Sequence, residues 1–140
     1  MSKMAVVFWS GTRNTQAMAE AVADGAREKG ADVSLFEAGS FNTDLAADYE
    51  SIAFGCPAMG DEILEEDEFE PMFTDVEGSL PGKKVGLFGS YGWGDGQWMR
   101  DWEDRCKNAG ITLAAGSVTA NDAPDDDALA ACRELGAALA

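Results

Sequence analysis

Met4-Ala5-Val6-Val7-Phe8-Trp9-Ser10-Gly11-Thr12-Arg13-Asn14-Thr15 runs an apolar segment into a cluster of small hydroxyl residues and on into a helical pattern. A strand that turns into a helix in this way leaves several backbone N–H groups at the helix start without intrahelical acceptors. They sit at the positive end of the helix dipole. Such a turn is suited to an anion, and Ser10, Thr12, Asn14 and Thr15 each add a side-chain donor. Two familiar phosphate loops are excluded. No Gly-Lys-Ser/Thr follows, as a Walker loop requires, and Gly11 stands alone where a dinucleotide fingerprint needs three glycines. On this stretch alone, a phosphate cradle of neutral donors and an ordinary capped βα turn stand level.

Outward from that turn, strand and helix alternate. Met18, Val22 and Ala26, with Ala17 and Ala21 beside them, keep helical spacing up to a stop at Gly30. Residues 31–36 alternate like a strand, with Val33 and Leu35 on one face, and residues 42–48 read as a short helix or an irregular connection. A short apolar run at 51–56 leads into the loop 57–62. Residues 65–77 predict a helix with Phe69, Phe73 and Val76 inward, in which Pro71 is tolerated only in the first turn. Residues 84–88 look like a central strand, followed by a glycine-rich loop at 89–96. Met99, Trp102 and Cys106 mark the buried face of the next helix, which Gly110 ends. A last strand is expected at 111–118, weakened by Gly116, and Pro124 is placed in the first turn of a final helix. Asp125, Asp126 and Asp127 suit its dipole, and Leu129, Cys132, Leu135 and Leu139 form its stripe. Five strands alternating with helices predict an α/β domain: a doubly wound, open parallel sheet with helices on both faces. A single domain over residues 1–140 is expected, with no linker, repeat or low-complexity tract.

Composition narrows the chemistry. At 140 residues and 46% hydrophobic, the chain is large enough for one real core. No apolar run approaches a membrane span, and the amino terminus lacks the regions of a signal peptide. Cys56, Cys106 and Cys132 are widely spaced, against a zinc site, a cluster or a disulfide scaffold, and they suit the reducing cytoplasm. Histidine is absent, which removes the commonest general base and metal ligand, and with them hydrolytic triads. The net charge of −16 disfavours nucleic acid and anionic membranes and suits a partner with a basic face.

In doubly wound sheets, ligands bind beyond the carboxyl ends of the strands at the topological switch point. That rule brings together residues 10–15, 57–62 and 90–96. The first loop, with Ser10, Gly11, Thr12, Arg13, Asn14 and Thr15, offers donors for a terminal phosphate. The second, Pro57-Ala58-Met59-Gly60-Asp61-Glu62, carries a polarisable Met59 suited to a flat aromatic face and a conformationally free Gly60. The third, with Ser90, Tyr91, Gly92, Trp93 and Gly94, sets two large aromatics among glycines, an arrangement that stacks on a planar ligand more often than it joins a core. Phosphate at one end and a sandwiched ring at the other describe flavin mononucleotide, FMN.

The motifs Ser10-Gly-Thr-x-Asn-Thr15, Cys56-Pro-Ala-Met-Gly-Asp-Glu62 and Gly89-Ser-Tyr-Gly-Trp-Gly-Asp-Gly96, taken together, resemble those of short-chain flavodoxins, and the resemblance covers the whole chain. It implies strand order 2-1-3-4-5, noncovalent FMN and a low-potential one-electron carrier, not an enzyme, cycling mainly between semiquinone and hydroquinone. It implies that Ser10, Thr12, Asn14 and Thr15 hold the phosphate, that Trp93 covers the outer flavin face and Met59 the inner one. Glu62 would bond the flavin N3 region, and residues 90–94 would line the pyrimidine edge. The Gly60 carbonyl would turn toward flavin N5 on its protonation. One departure stands out: Arg13 occupies a position where the family usually has glycine. A positive φ there would strain Arg13; a helical or extended one would leave it harmless and solvent-directed.

Acidity bears on the redox role. One negative charge at about 10 Å in an effective dielectric near 20 opposes adding another by roughly 1.7 kcal/mol, about 70 mV for a one-electron couple. The acid run Asp61, Glu62, Glu65, Glu66, Asp67, Glu68 and Glu70 is either a docking face for a basic redox protein or a solvated helix start. The chain is expected to be a monomer. Rival classes fit less well. A quinone or NAD(P)H reductase needs a hydride-donor site that 140 residues do not display. A receiver domain wants acidic residues near Ser10-Gly11 and Pro57 and a lysine near Thr119-Ala120. A detached FMN domain of a larger reductase is disfavoured by the complete five-strand pattern without a linker.

Overall fold

The apolar run that opens the chain becomes β1 (Lys3–Phe8), and it pairs in parallel with both β2 (Asp32–Glu37) and β3 (Ser51–Gly55). β3 continues the parallel ladder to β4 (Lys84–Tyr91), and β4 to β5 (Val118–Asn121). The sheet order is therefore β2-β1-β3-β4-β5, as the resemblance implies. These elements come from a computed structural model, which describes residues 3–9, 11, 13–59, 63–92 and 94–140.

Because side chains alternate across a strand, β1 feeds two cores at once. Met4, Val6 and Phe8 pack with α1 (Arg13–Glu28) and α5 (Asp126–Leu139), while Ala5 and Val7 join the cluster of α3 (Phe69–Val76) and α4 (Gln97–Asn108). All of β3 is buried, as a strand covered on both faces requires. α1 buries Met18, Val22 and Ala26 as the periodicity predicts, and Gly30, at φ 88°, turns the chain out of it. The ambiguous segment 42–48 holds a short helix, α2 (Thr43–Ala46), capped where Leu45 N–H donates to Asn42 Oδ1 at 3.0 Å.

Four boundaries differ from the sequence reading. α3 begins at Phe69 rather than 65, because the Glu65 carboxylate folds back to collect the backbone N–H groups of Asp67, Glu68 and Phe69. Pro71 still falls in its first turn. β4 runs on through Gly89, Ser90 and Tyr91, which pair with Thr119, Ala120 and Asn121. The last strand lies at Val118–Asn121 instead of 111–118. Leu113 makes an isolated parallel bridge to Val85, and the chain then makes an excursion before rejoining at Phe88↔Val118. Pro124 precedes the final helix rather than entering it, since Asp125 is the cap and accepts from Ala128 N–H at 2.8 Å.

α1 and α5 touch backbone to backbone. A Cβ on Gly136 would collide with the Val22 carbonyl, and one on Gly25 with the Arg133 backbone. This contact seals one face of the sheet behind β1 and β4. Gly→Ala inside a helix ordinarily stabilises by up to ~1 kcal/mol. Here Gly136→Ala is expected to lower unfolding stability by about 1–3 kcal/mol through overpacking; a more stable variant in denaturant titration would contradict the close approach.

Candidate functional site

The carboxyl ends of β1, β3, β4 and β5 open onto a cleft of about 430 Å³, lined by Trp9, Gly11, Asn14, Pro57, Ala58, Met59, Ser90, Tyr91, Gly92 and Asp122. Such a volume suits a small organic ligand. All except Trp9 and Asp122 belong to the three loops that the motifs single out.

Each wall has a mechanical cause. At the end of β1, Trp9 N–H donates to Gly55 O at 3.0 Å, and its indole lies over Gly11. A Cβ on Gly11 would come within 2.8 Å of the Trp9 ring, so a side chain there would push the indole aside. In the second wall, Cys56 N–H donates to Phe88 O at 3.2 Å and Ala58 N–H to Ser90 O at 2.9 Å, extending the β3–β4 ladder into the loop. Met59 and Ile63 then exchange both backbone bonds, at 2.9 and 3.1 Å, which brings the two flanks of segment 60–62 together. Trp98 Nε1–H donates to Cys56 O at 3.1 Å from below. In the third wall, Tyr91 is half-buried and tilts against Trp98 at 5.6 Å, so it serves the core and the cleft together. Asp122 N–H donates to Tyr91 O at 2.7 Å and Asn121 Nδ2–H to Gly92 O at 2.9 Å, which ties the end of β5 to this loop.

The candidate residues divide into groups. Gly11, Asn14, Pro57, Ala58, Met59, Ser90, Tyr91 and Gly92 line one cleft. Thr15 is buried behind it, its hydroxyl 3.4 Å from that of Ser90. Arg13 is the first residue of α1, exposed, and borders a neighbouring depression with Gln16, Ala17 and Glu20 instead of the cleft. Its helical backbone removes the strain that a positive φ would impose. Gly94 is exposed at φ 112° and does not line the cleft. Ser10, Thr12, Gly60, Asp61, Glu62 and Trp93 lie outside the described residues. Trp9 and Asp122 escaped the motif reading; their signal is positional, since each immediately follows a strand at the ligand edge of the sheet.

The electrostatics favour an anion at one end. Although the chain carries 26 acids, none falls in the first turn of α1, which opens instead on Arg13. α2, α3 and α5 each place an acid in that turn. The positive end of α1 is thus left undischarged by any carboxylate of its own, beside Gly11 and Asn14 in the cleft. The apolar surfaces of Trp9, Pro57, Met59 and Tyr91 suit a flat ring at the other end. Phosphate and planar ring both fit.

The buried acid and thiols serve the fold. Glu65 is 5% exposed; burial disfavours its charge, yet three backbone N–H bonds hold the carboxyl below its ordinary range. Burial pushes the Cys106 and Cys132 thiols up to about 12 and Cys56 further still, so none supplies a thiolate nucleophile. Among the described residues no cluster could hold a metal ion.

Known proteins agree with this geometry. The family model described as Flavodoxin matches residues 6–136. The chain is 44% identical over 137 residues to the flavodoxin of Clostridium beijerinckii, covering 98% of this chain and 99% of that one. It is 47% identical over 135 residues to the flavodoxin of Megasphaera elsdenii, covering 96% of each. The solution structure of two-electron reduced Megasphaera elsdenii flavodoxin superposes with a TM-score of 0.89 at 46% identity, over 97% of each chain. By sequence, fold and cleft, the chain belongs to the flavodoxin family.

Proposed function

We propose that this flavodoxin seats FMN in the cleft, with the phosphate at the amino end of α1 and the ring between Met59 and Trp93. FMN binding and one-electron transfer between redox partners come with the family. The observation that supports the placement is the meeting of three loops at the switch point beside a helix start free of acids. Ser10, Thr12, Asn14 and Thr15 donate to the phosphate, with Gly11 and Arg13 in the same turn. Pro57, Ala58 and Asp61 frame the second loop, and Glu62 accepts from the pyrimidine side. Ser90, Tyr91, Gly92 and Gly94 border the ring edge.

Bound FMN supplies a ring that gains or loses one electron at a time. The chain sets how readily it does so. The paired bonds between Met59 and Ile63 fix both ends of the second loop, in which Gly60, with its unrestricted backbone, would offer its carbonyl to the flavin. Asp122 in the cleft wall and the acidic surface oppose further negative charge on the ring, which lowers its second potential.

The protein acts as a carrier without turnover of its own, as one domain and as a monomer. Its three free, buried thiols suit the cytoplasm, and no described helix is long and apolar enough to cross a membrane. Exposed Glu66, Asp67 and Glu68 continue from the cleft turn and form the docking face for basic redox proteins. Glu65 leaves that face because it is buried, and Glu70 is tied to Arg105 at 2.8 Å.

The visible spectrum is the first test: the purified protein should be yellow or take up added FMN, and a colourless protein that ignores FMN defeats the reading. Rapid bleaching by NAD(P)H alone would make it a reductase instead. Raising ionic strength should raise the second one-electron potential by tens of mV, roughly one screened charge, and no salt dependence would sink the repulsion account. Arg13→Gly should change the FMN Kd by less than about tenfold, about 1.4 kcal/mol; a larger change in a fluorescence titration would show that this side chain reaches the phosphate.

A further inference from the structure

The segment 60–62 is entered through Met59 and left through Ile63, and its two flanking arms are held differently. The incoming arm is fastened to β4 through Cys56 and Ala58. The outgoing arm leaves from Ile63, which is 43% exposed. Two residues later the chain reaches Glu65, where the bonds concentrate. Its N–H donates to Cys56 Sγ at 3.4 Å, and its carbonyl accepts from Glu70 N–H at 2.8 Å. Its carboxylate accepts from Asp67 N–H at 2.7 Å through one oxygen, and from Glu68 and Phe69 N–H at 2.8 Å through the other.

One buried residue thus ties the outgoing arm to the end of β3 on one side and to the start of α3 on the other. Backbone N–H groups that lose such an acceptor inside a protein are left desolvated and unpaired, so the anchor is firm. An amide in place of the carboxylate would set its NH2 against the Asp67 N–H, donor against donor. No other residue type repeats the whole set.

We propose that Glu65 is a positioning residue for the flavin turn: its buried carboxylate fixes the outgoing arm, and so sets FMN affinity and the separation between the two one-electron potentials. The inference rests on FMN occupying the cleft. Glu65 acts through the frame of the turn and not as one more surface charge. A firm frame would hold whatever contact segment 60–62 makes with the ring, and a loosened frame would weaken it.

The test compares the FMN-loaded wild type with Glu65→Gln, and with Glu66→Gln as a control that removes the same charge from an exposed neighbour. The readouts are the FMN Kd, both potentials by spectroelectrochemistry, and amide exchange over residues 63–69. Glu65→Gln should weaken FMN at least tenfold, change the gap between the potentials and speed exchange in that segment. Glu66→Gln should leave the exchange as in the wild type and move the gap only by the screened loss of one surface charge, less than Glu65→Gln moves it. Equal Kd and equal gap in the two variants would overturn the proposal and leave Glu65 as a helix cap alone. Should Glu65→Gln not fold, Glu65→Asp keeps the charge but is one methylene short. It should speed the same exchange and move the gap in the same direction, and wild-type values for both would overturn the proposal. Wild-type binding of FMN is read in the same series, so a failure of the cofactor assignment is visible separately.

Discussion

The double parallel pairing of β1 is the constraint on which the rest depends. With β2 on one side and β3 on the other, the chain must leave β1 toward one face of the sheet and β3 toward the opposite one. α1 accordingly packs on the Met4, Val6 and Phe8 side, and α3 on the Ala5 and Val7 side. The two connections part above the strand ends, and the crevice between them is where α1 presents its amino end. No loop residue creates this opening; the loops decorate one that strand order makes unavoidable. The backbone contact of α1 with α5 at Gly25 and Gly136 then holds α1 in place, so the position of its amino end is set by packing far from the cleft.

Rigidity is distributed unevenly around the crevice, in keeping with a carrier that must change state without changing shape. Below the cleft, Trp98 joins the Cys56 carbonyl to the core, and Phe69 and Phe73, stacked on each other, each meet Trp102 edge to face. Arg105 adds a clamp between Glu70 and Glu77 and lies over the Phe73 ring. Above this base, the paired backbone bonds of Met59 and Ile63 join the two flanks of segment 60–62.

Much of the fold is legible in the residue pattern, and the misses have definite causes. Period-two and period-3.6 patterns locate the sheet and the helices because buried faces leave that mark. Glycines mislead at β4: Gly89 and Ser90 read as loop, yet a Cβ on Gly89 would strike the Cys56 carbonyl just past the end of β3. Acids mislead at α3, since residues 65–68 look like a helix start, whereas Glu65 turns inward to cap one. The excursion between Leu113 and Val118 has no sequence period at all. At the site, motifs find the loops, but Trp9 and Asp122 are cleft residues by virtue of where their strands stop. Asp122 adds a left-handed backbone, φ 57°, that only the closure of β5 onto Tyr91 explains.

Everything above turns on this crevice, and no other part of the surface, receiving the cofactor with its phosphate toward α1. The most direct measurement is an amide chemical-shift map of the apoprotein titrated with FMN. Large shifts are expected at residues 9–15, 57–63, 89–94 and 122, with those at 11–15 missing when riboflavin replaces FMN. Shifts centred elsewhere, or an identical map with riboflavin, would contradict it.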